Sequence, residues 1–516
     1  MSKIIEAKIE EINTIRKDLS RVNLKIAFCY PNTYTAGMAS LGLQIIYRLW
    51  NSFEEVACER TFLPIKDFIE PYTLESDRPL REMDIIAFTM QYEDDYTNIL
   101  KILQRSQIPI KAEERNNKHP LIIAGGPCVQ SNPVPMSPYI DAFMFGDLES
   151  INEELVNEGF LGSSTRESRI QKLNTFQYMW TPALDFDKEI KFSPKGNLDE
   201  YYYPINQIIQ QVEHEDPWHG VFGKSFLLEV VRGCNRGCSF CLTGKINRPR
   251  RNRSLEKLVE LYQQGTEACN VKKVTTIGSG ISDYNDLEKL CQNMLNDGLS
   301  FSLPSIRADK ITEELVRLLV ESGQRTITTA PEAGTENLRS KICKKVTDEE
   351  IINSMQIISN GGLARIKAYF ILGLPGEEEK DINGIIQLGK EMKKEAKNIR
   401  KIRFSCGYFV PKPQTMLQDE SIFPLQELTA KGKYLTKLFS KIPNIDCEIY
   451  SPKWARIQTI LSIGGLEITK PLEIAAKLGG GLGDWRRAFN ECKLDIIKLS
   501  EQREERDTRP WDFIKL

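Results

Sequence analysis

Short apolar runs alternate with amphipathic segments in the first part of the chain, over residues 23–160. The runs have the length of buried strands, and the segments between them, such as 41–49 and 97–104, follow a helical pattern. This alternation predicts a parallel, doubly wound α/β sheet of the flavodoxin or Rossmann type. Ligands of such sheets bind at the carboxyl ends of the strands. The predicted strands are 24–29, 84–90, 121–124 and 142–145, and the segments at their carboxyl ends are 31–37, 91–93, 125–128 and 146–149.

A second alternating series begins at Phe226 and predicts a full or partial α/β barrel over residues 222–419. Isoleucines at helical spacing predict an N-terminal helix within residues 1–22. The polar and Tyr/Pro-containing stretch 161–221 is interpreted as a linker, and 420–516 as a mostly helical region that gates the substrate. The predicted barrel strands are 226–231, 273–277, 326–329, 366–372 and 402–404.

Composition narrows the class of protein. The 516 residues are 41% hydrophobic and 27% charged, with a net charge of −2, which is ordinary for a globular chain and argues against a general nucleic-acid binder. The mean hydropathy is −0.36, and the absence of an apolar run of 18 residues predicts that no helix spans a membrane. The charged start does not resemble a signal peptide, which favours the cytoplasm. The 12 cysteines are therefore interpreted as buried thiols or metal ligands.

The strongest chemical signal is the CxxxCxxC spacing of Cys234, Cys238 and Cys241. These cysteines follow an apolar strand and stand among glycines on a predicted loop, which is not the pattern of buried core thiols. Structural zinc usually takes four ligands in two close pairs, and no fourth Cys or His is near in the sequence. Three thiolates suit an iron–sulfur cluster with one iron left open for a substrate or cofactor.

With this spacing, and with the aromatic Phe240 before the third cysteine, the chain resembles the radical S-adenosylmethionine (SAM) superfamily. The resemblance implies a [4Fe–4S] cluster on the three cysteines and SAM bound to the fourth iron. It also implies reductive cleavage of SAM to methionine and a 5′-deoxyadenosyl radical. For Arg307 and Glu332, a structural ion pair is the competing interpretation. The candidate contacts to SAM or substrate at the predicted strand ends are Phe240, Gly278, Ser279, Gly280, Arg307, Glu332 and Gly373.

A doubly wound domain in front of a radical SAM core resembles the cobalamin-binding subgroup of this superfamily. The usual fingerprint, DxHxxG followed by SxL and GG, has a loose counterpart in Asn32-x-Tyr34-x-x-Gly37 and at the next strand ends. The resemblance implies bound cobalamin, with glycines that let its nucleotide tail approach the backbone. A flavodoxin-like domain without a cofactor is the alternative. The remaining candidate cobalamin contacts are Thr89, Gln91, Tyr92, Gly125 and Gly126.

Tyr34 stands where the fingerprint has a histidine that binds cobalt. None of the three histidines, His119, His214 and His219, lies in this loop. We therefore expect base-off, His-off cobalamin, with Tyr34 near the lower face of the corrin as a weak ligand or a steric lid. The competing interpretation is that Tyr34 packs at the start of a helix and never approaches the corrin.

The order of the two domains resembles that of class B radical SAM methyltransferases. It implies transfer of a methyl group from SAM, through methylcobalamin, to an unactivated sp³ carbon. One such enzyme methylates a glutamine of methyl-coenzyme M reductase, and the motifs do not select that substrate. The resemblance also leads us to expect a protein or peptide substrate and a reductant of the ferredoxin or flavodoxin type, with no membrane and no general nucleic-acid binding.

Three alternatives to this function stay open. The first is a cobalamin-using radical enzyme that forms or rearranges rings without methyl transfer. The second is a methylthiotransferase, with a second cluster on Cys29, Cys58 and Cys128. The third is a sensor that responds to iron or cobalamin and has no catalytic activity.

Overall fold

A computed structural model describes residues 9–65, 69–213, 216, 218–502 and 508–516. His214 therefore lies outside the described residues. In the described part of the chain, no helix is long and apolar enough to cross a membrane. The architecture is α/β, with a doubly wound sheet, a partial barrel and a helical C-terminal region in that order along the chain. The fold class predicted from the sequence is confirmed.

The N-terminal sheet has six strands, of which all but the last neighbouring pair are parallel. Its central strands are buried on both faces, which explains why the sequence has continuous apolar runs there and no alternation. In sheet order the strands are Val56–Phe62, Leu24–Tyr30, Ile85–Thr89, Leu121–Gly125, Ala142–Met144 and Met179–Trp180. The helices of this part are Tyr34–Met38, Leu41–Asn51, Tyr96–Arg105, Pro127–Ser131, Asn152–Glu154 and Arg166–Asn174, with a π-helix at Leu155–Leu161.

The N-terminal helix predicted within residues 1–22 is absent from the described part, 9–22. Residues Glu11–Ile12 form a short strand that pairs antiparallel with Ile209–Gln210. Glu11 forms an ion pair with Arg60, at 2.6 Å between Glu11 Oε2 and Arg60 Nη2, and the Arg60 side chain is fully buried. The ion pair ties Glu11 to the N-terminal sheet, which favours an extended backbone at residues 11–12. The helical spacing of the isoleucines therefore does not decide the conformation of this segment.

The barrel is partial and is built from two four-stranded sheets, in which the parallel strands follow one another in chain order and one short antiparallel strand flanks the first of them. Pairing is parallel except for the short edge strand Arg251–Asn252. A backbone hydrogen bond of 2.8 Å from Ile306 N to Thr328 O joins the two sheets. The first sheet has Arg251–Asn252, Phe226–Arg232, Lys273–Gly278 and Ser300–Ser302; the second has Thr326–Glu332, Arg365–Leu372, Lys401–Tyr408 and Ile445–Ile449. The helices are Thr243–Ile246, Leu255–Ala268, Leu287–Asn296, Glu313–Glu321, Glu336–Lys341, Asp348–Asn360, Glu379–Glu395 and Leu425–Phe439.

The strand Ile445–Ile449 carries the barrel sheet beyond residue 419, the boundary predicted from the sequence. Its sequence, IDCEI, is short and lies between helical patterns, so periodicity alone did not reveal it. The stretch 161–221 is likewise ordered over its described residues. Its strand Met179–Trp180 extends the N-terminal sheet, and Ile190–Lys191 pairs with Ile514–Lys515 at the end of the chain.

The C-terminal helices return to the N-terminal sheet and share one apolar core with it. Polar contacts fix the same interface: Asn132 Nδ2 donates to Ser462 O at 3.0 Å, and the Tyr139 hydroxyl donates to Thr469 O at 2.8 Å. The gating role predicted for 420–516 remains a prediction, and three helices of this region cover one face of the N-terminal sheet. These helices are Pro452–Ile463, Thr469–Leu478 and Leu482–Glu491.

Candidate functional site

The carboxyl ends of the N-terminal sheet and of the first barrel sheet face each other across a cavity of about 660 Å³. Apolar side chains such as Trp50, Met144 and Leu303 form much of its wall. A cavity at this place is expected for both sheets, because parallel α/β sheets bind ligands at their carboxyl ends. Its volume is in the range of small-molecule and cofactor sites.

Six of the residues predicted from the sequence line this cavity. Gly126 has a φ of 107°, and a Cβ there would lie 2.8 Å from Met90 O, so only glycine fits. A Cβ at Gly278 would lie 2.5 Å from Val231 Cγ1 on the neighbouring strand. The structure thus brings together, from both domains, Thr89, Gln91, Gly125, Gly126, Gly278 and Ser279.

The cavity also contains a polar atom that has no partner. The side-chain oxygen of Gln130 is buried and accepts no hydrogen bond in the described structure, and Gln130 lines the cavity. A buried acceptor of this kind is costly unless something donates to it. A ligand that carries amide N–H groups fits that requirement.

A network of charges joins the two domains at the cavity, and the sequence analysis did not identify it. Arg232 donates to Glu229 Oε1 and to Glu149 Oε1, each at 2.8 Å, and lies 3.2 Å from Asp147. Arg251 donates to the other oxygen of Asp147. Burial opposes the charge on Asp147, but Arg232 and Arg251 outweigh it and lower the pKa of this carboxyl. Asp147 and Glu149 could have indicated this network in the sequence, because two acidic residues stand at a predicted strand end, 146–149.

The three cysteines lie on the loop that follows the first barrel strand. Gly233 and Gly237 take φ values of 86° and 75°, which fold the loop tightly around them. All three thiols are half-buried and none forms a disulfide. Burial raises the pKa of Cys238, and the nearby Lys344 partly opposes this shift. A nearby metal or positive charge would therefore favour the thiolate form of Cys238.

Among the described residues, no three His, Cys, Asp or Glu side chains converge on a point where a single metal ion would bind. This spacing is compatible with a cubane cluster, in which each thiolate binds a different iron. Gly280 packs next to the loop, since a Cβ there would lie 3.2 Å from Cys234 Sγ. Three free, half-buried thiols on one loop therefore fit the cluster implied by the motif.

Glu332 and Arg307 lie close to the cysteines but do not line the cavity. Glu332 has a φ of 71° at an irregularity in its strand and pairs with Lys344 at 3.1 Å. Burial raises the pKa of Glu332, and Lys344 partly opposes this shift. Arg307 pairs with Asp309 at 2.8 Å and donates to the carbonyl of Lys344 at 3.2 Å. The two residues do not pair with each other, because each has its own partner.

Phe240 and Gly373 occupy packing positions near the loop. Phe240 packs against a small apolar cluster that includes Ala333 and Leu374. Gly373 has a φ of 74°, and its N–H donates to both oxygens of Glu377 at 3.0 and 3.1 Å. A SAM contact of either residue remains a prediction.

The Asn32–Gly37 loop, which runs into the short helix Tyr34–Met38, does not reach the cavity, contrary to the expectation for Tyr34. Tyr34 is buried, and its hydroxyl donates to Glu11 Oε1 at 2.7 Å. Asn32 Nδ2 donates to Asp95 at 2.7 Å, and a Cβ at Gly37 would lie 2.3 Å from the Phe62 ring. These residues satisfy one another and pack against the sheet, so the structure gives Tyr34 no position as a cobalt ligand or lid.

Tyr92 also lies outside the cavity. Its side chain is 61% exposed, while its neighbour Gln91 lines the cavity and donates to Thr89 Oγ1 at 2.6 Å. The next residue, Glu93, is buried and pairs with Lys412 beyond the barrel strand Lys401–Tyr408. This segment therefore contributes one residue to the cavity and one to the contact between domains.

Comparison with known proteins supports the chemistry indicated by the cysteine loop. The uncharacterized protein MJ0966 of Methanocaldococcus jannaschii is 33% identical over 450 residues, which cover 87% of this chain and 90% of that protein. Two family models match: "Radical SAM proteins, N-terminal" over residues 42–182 and "Radical SAM superfamily" over 228–389, which contains the three cysteines. The chain belongs to the radical SAM superfamily. SAM and an iron–sulfur cluster are the reactant and the cofactor of this superfamily, as the motif predicted.

A solved structure extends this likeness to the whole fold. The radical SAM methyltransferase TsrM from Kitasatospora setae, determined with cobalamin and a [4Fe–4S] cluster bound, is 14% identical to this radical SAM chain. The TM-score is 0.52, with 93% of this chain and 99% of TsrM covered. At this identity the similarity is one of fold, and it includes the doubly wound domain and the C-terminal region.

A curated relative of another activity matches a shorter part of the chain. The ribosomal protein uS12 methylthiotransferase RimO of Clostridioides difficile is 24% identical over 299 residues, which cover 48% of this chain and 66% of RimO. This match agrees with membership of the superfamily, within which the reactions differ.

Proposed function

We propose that this protein is a cobalamin-dependent radical SAM C-methyltransferase that acts on an unactivated sp³ carbon. One observation carries the proposal: a single cavity is shared by the carboxyl ends of a doubly wound sheet and of the barrel strand that leads into the cysteine loop. An enzyme that combines two cofactors must hold their reactive atoms and the substrate in one water-poor space. The fold shared with TsrM supports the same proposal.

The residues present fit these groups. Cys234, Cys238 and Cys241 would hold the cluster, with Gly278 and Ser279 beside SAM. SAM supplies a methyl group and, once reduced, a carbon radical, and cobalamin supplies a methyl carrier for a carbon that is not a nucleophile. The remaining candidates line the sheet side of the cavity and would hold cobalamin: Thr89, Gln91, Gly125, Gly126 and Gln130.

The protein's own side chains provide position and exclude water. Trp50, Met144 and Leu303 give the cavity apolar walls. The Arg232 network fixes the first barrel strand to the N-terminal sheet, because Glu149 belongs to the sheet domain and Glu229 to the strand itself. Charges that pair with one another stay fixed when a ligand enters, so the two halves of the cavity keep their spacing.

A methylthiotransferase is disfavoured by the N-terminal cysteines. Such an enzyme would need a second cluster on Cys29, Cys58 and Cys128. All three are buried, and Cys58 packs in the core on one side of the sheet while Cys29 and Cys128 pack on the other. Side chains on opposite faces of a sheet cannot share a cluster. Iron analysis of the reconstituted protein should therefore give about four irons per chain, and about eight would favour the methylthiotransferase.

Product analysis under anaerobic conditions tests the methyl transfer. With reductant, cobalamin, methyl-labelled SAM and a library of candidate peptides, we expect S-adenosylhomocysteine and 5′-deoxyadenosine to accumulate at about one of each per methylated product. The first candidate substrate is a peptide of methyl-coenzyme M reductase that contains, in unmethylated form, the glutamine that becomes methylated. If a substrate is consumed and 5′-deoxyadenosine forms without a labelled product, the enzyme forms or rearranges rings without methyl transfer.

A further inference from the structure

A dense group of basic side chains lies at the amino-terminal end of the second barrel sheet. The cysteine loop is at the opposite end of the barrel, because it follows the carboxyl end of the first strand. Two adjoining depressions of about 490 and 350 Å³ are lined by these basic residues. We call the group the lumenal basic cluster; its members are Arg325, Arg365, Lys367, Arg400, Lys401 and Arg403.

The central members of the cluster point to the concave inside of the barrel. Ile366 and Ala368 are buried in one core with Ile385 and Leu388 of the outer helix Glu379–Glu395. Because side chains alternate along a strand, Arg365 and Lys367 face the other way, away from that helix. The same alternation applies to the next strand, where Ile402 and Phe404 are buried and Lys401 and Arg403 lie on the inner face. The barrel interior at this end is therefore lined by charge and not by the bulky apolar residues of a closed barrel.

The register of the two strands places like charges directly opposite each other. Arg365 pairs with Lys401, and Lys367 pairs with Arg403. Like charges in direct cross-strand positions are destabilising. A carboxylate at one edge gives partial relief, since Asp446 lies 2.6 Å from Lys401 and 3.6 Å from Arg403. Such an arrangement has a cost to the fold that a bound anion would remove.

Most of the cluster has no carboxylate partner. Among the described residues, no Asp or Glu oxygen lies within 4.0 Å of a side-chain nitrogen of Arg325, Arg365 or Arg400. Lys367 likewise has no carboxylate partner among the described residues, and its ammonium lies 4.8 Å from the centroid of the Tyr369 ring. The chain as a whole is nearly neutral, with a net charge of −2, so this is a local concentration of positive charge.

We propose that the lumenal basic cluster binds a small ligand that carries several phosphate groups. The guanidinium groups match phosphate oxygens in pairs, which favours phosphate over a lone carboxylate. The backbone positions that carry these cations are about 5 Å apart across strands and about 7 Å apart along them, so one compact polyanion can reach several at once. The depressions are concave and have the volume of a small-molecule site. The site lies at the amino-terminal end of the second barrel sheet, shares no lining residue with the cavity of the proposed function and is independent of it.

Calorimetric titration of the full-length protein with inorganic tripolyphosphate tests this site. We expect one binding site at low ionic strength, and a dissociation constant that rises at least tenfold in the double variant Arg365→Gln/Arg403→Gln. The control is Lys433→Gln/Arg486→Gln, which removes two exposed charges from helices elsewhere and should leave the affinity unchanged. Absence of binding by the unaltered protein, or equal binding by both double variants, overturns the proposal.

Two further arms identify the kind of anion. A short single-stranded RNA and an oligoglutamate peptide of the same charge as tripolyphosphate are titrated in the same buffer. We expect both to bind more weakly than tripolyphosphate; tighter binding of either one overturns the small-ligand proposal. Thermal unfolding of the Arg365→Gln/Arg403→Gln protein should occur at an equal or higher temperature, because repulsion is relieved. If this variant unfolds earlier, Arg325→Gln/Arg400→Gln, at exposed positions, replaces it in the same titration.

Discussion

Two loops in this protein follow the first strand of their sheets, and their polar groups are used in opposite ways. The loop Asn32–Gly37 follows Leu24–Tyr30, and its side chains bond to Asp95 and Glu11 within the N-terminal domain. The cysteine loop follows Phe226–Arg232 and holds three half-buried thiols without a disulfide. A loop whose donors and acceptors are already satisfied has none to offer a ligand. Both loops stand at a strand end. What distinguishes the Asn32–Gly37 loop from the cysteine loop is that its side chains already form hydrogen bonds within the protein.

The largest expected effect is at the cysteine loop. Cys238→Ala removes one of three cluster ligands, so we expect iron content to fall and 5′-deoxyadenosine formation to be abolished. Cys492→Ala, at another half-buried cysteine after the helix Leu482–Glu491, is the control and should keep both. Anaerobic assay of SAM cleavage provides the measurement. Residual cleavage near the original rate would mean that the loop does not hold the cluster.

The second largest effect concerns the buried ion pairs beneath the Asn32–Gly37 loop. Arg60 is fully buried between Glu11 and Glu75, at 2.6 Å from each. Arg60→Met leaves two buried carboxylates without a balancing positive charge, although Tyr34 still donates to Glu11, and we expect the free energy of unfolding to fall by about 3–5 kcal/mol. Arg317→Gln breaks two exposed ion pairs, with Glu314 and Glu321, and should change the free energy of unfolding by less than about 1 kcal/mol. Urea unfolding distinguishes the two; similar small losses would show that the buried network does not anchor residues 9–37.

The difference between the loops also marks how far the sequence could predict the site. The cysteine spacing predicted an iron–sulfur site from local sequence alone, because three cysteines so close together on one loop are typical of metal ligation and not of core packing. Asn32-x-Tyr34-x-x-Gly37 matched a fingerprint in residue type, but the partners of Tyr34 and Asn32, which are Glu11 and Asp95, are distant in sequence. The apolar runs located most strands, whereas Ile445–Ile449 carries polar residues and was missed. The hydrophobic periodicity of the sequence does not reveal which polar side chains pair when they are distant along the chain.

A third, smaller effect is a dependence of stability on pH. Burial raises the pKa of Asp95 to about 6, although Asn32 and Asn98 donate to it. In the unfolded chain this pKa is about 3.9, so the folded state favours the protonated carboxyl. Its contribution to stability is full below pH 4 and is lost as the pH rises through 6, on the order of 1–3 kcal/mol.

Asp95→Asn should remove this dependence while keeping an acceptor for Asn32. Urea unfolding of the apoprotein between pH 4.5 and 7.5 measures it, as the difference between the unaltered protein and the variant. We expect the variant to be the more stable of the two at pH 7.5 and the gap to close toward pH 4.5. A gap that stays constant with pH would mean that Asp95 does not titrate in this range.

The smallest effect separates packing from cobalt binding at Tyr34 itself. Tyr34→Phe deletes the hydrogen bond to Glu11, which retains Arg60, so we expect a loss of about 1 kcal/mol in the free energy of unfolding. The ring keeps its edge contact with Phe62, at 5.3 Å between centroids. Because Tyr34 does not line the cavity, titration with hydroxocobalamin and the paramagnetic resonance spectrum of Co(II) should be unchanged. A change in that spectrum, or a tenfold weaker affinity, would put the Asn32–Gly37 loop back at the cofactor and end the contrast between the two loops.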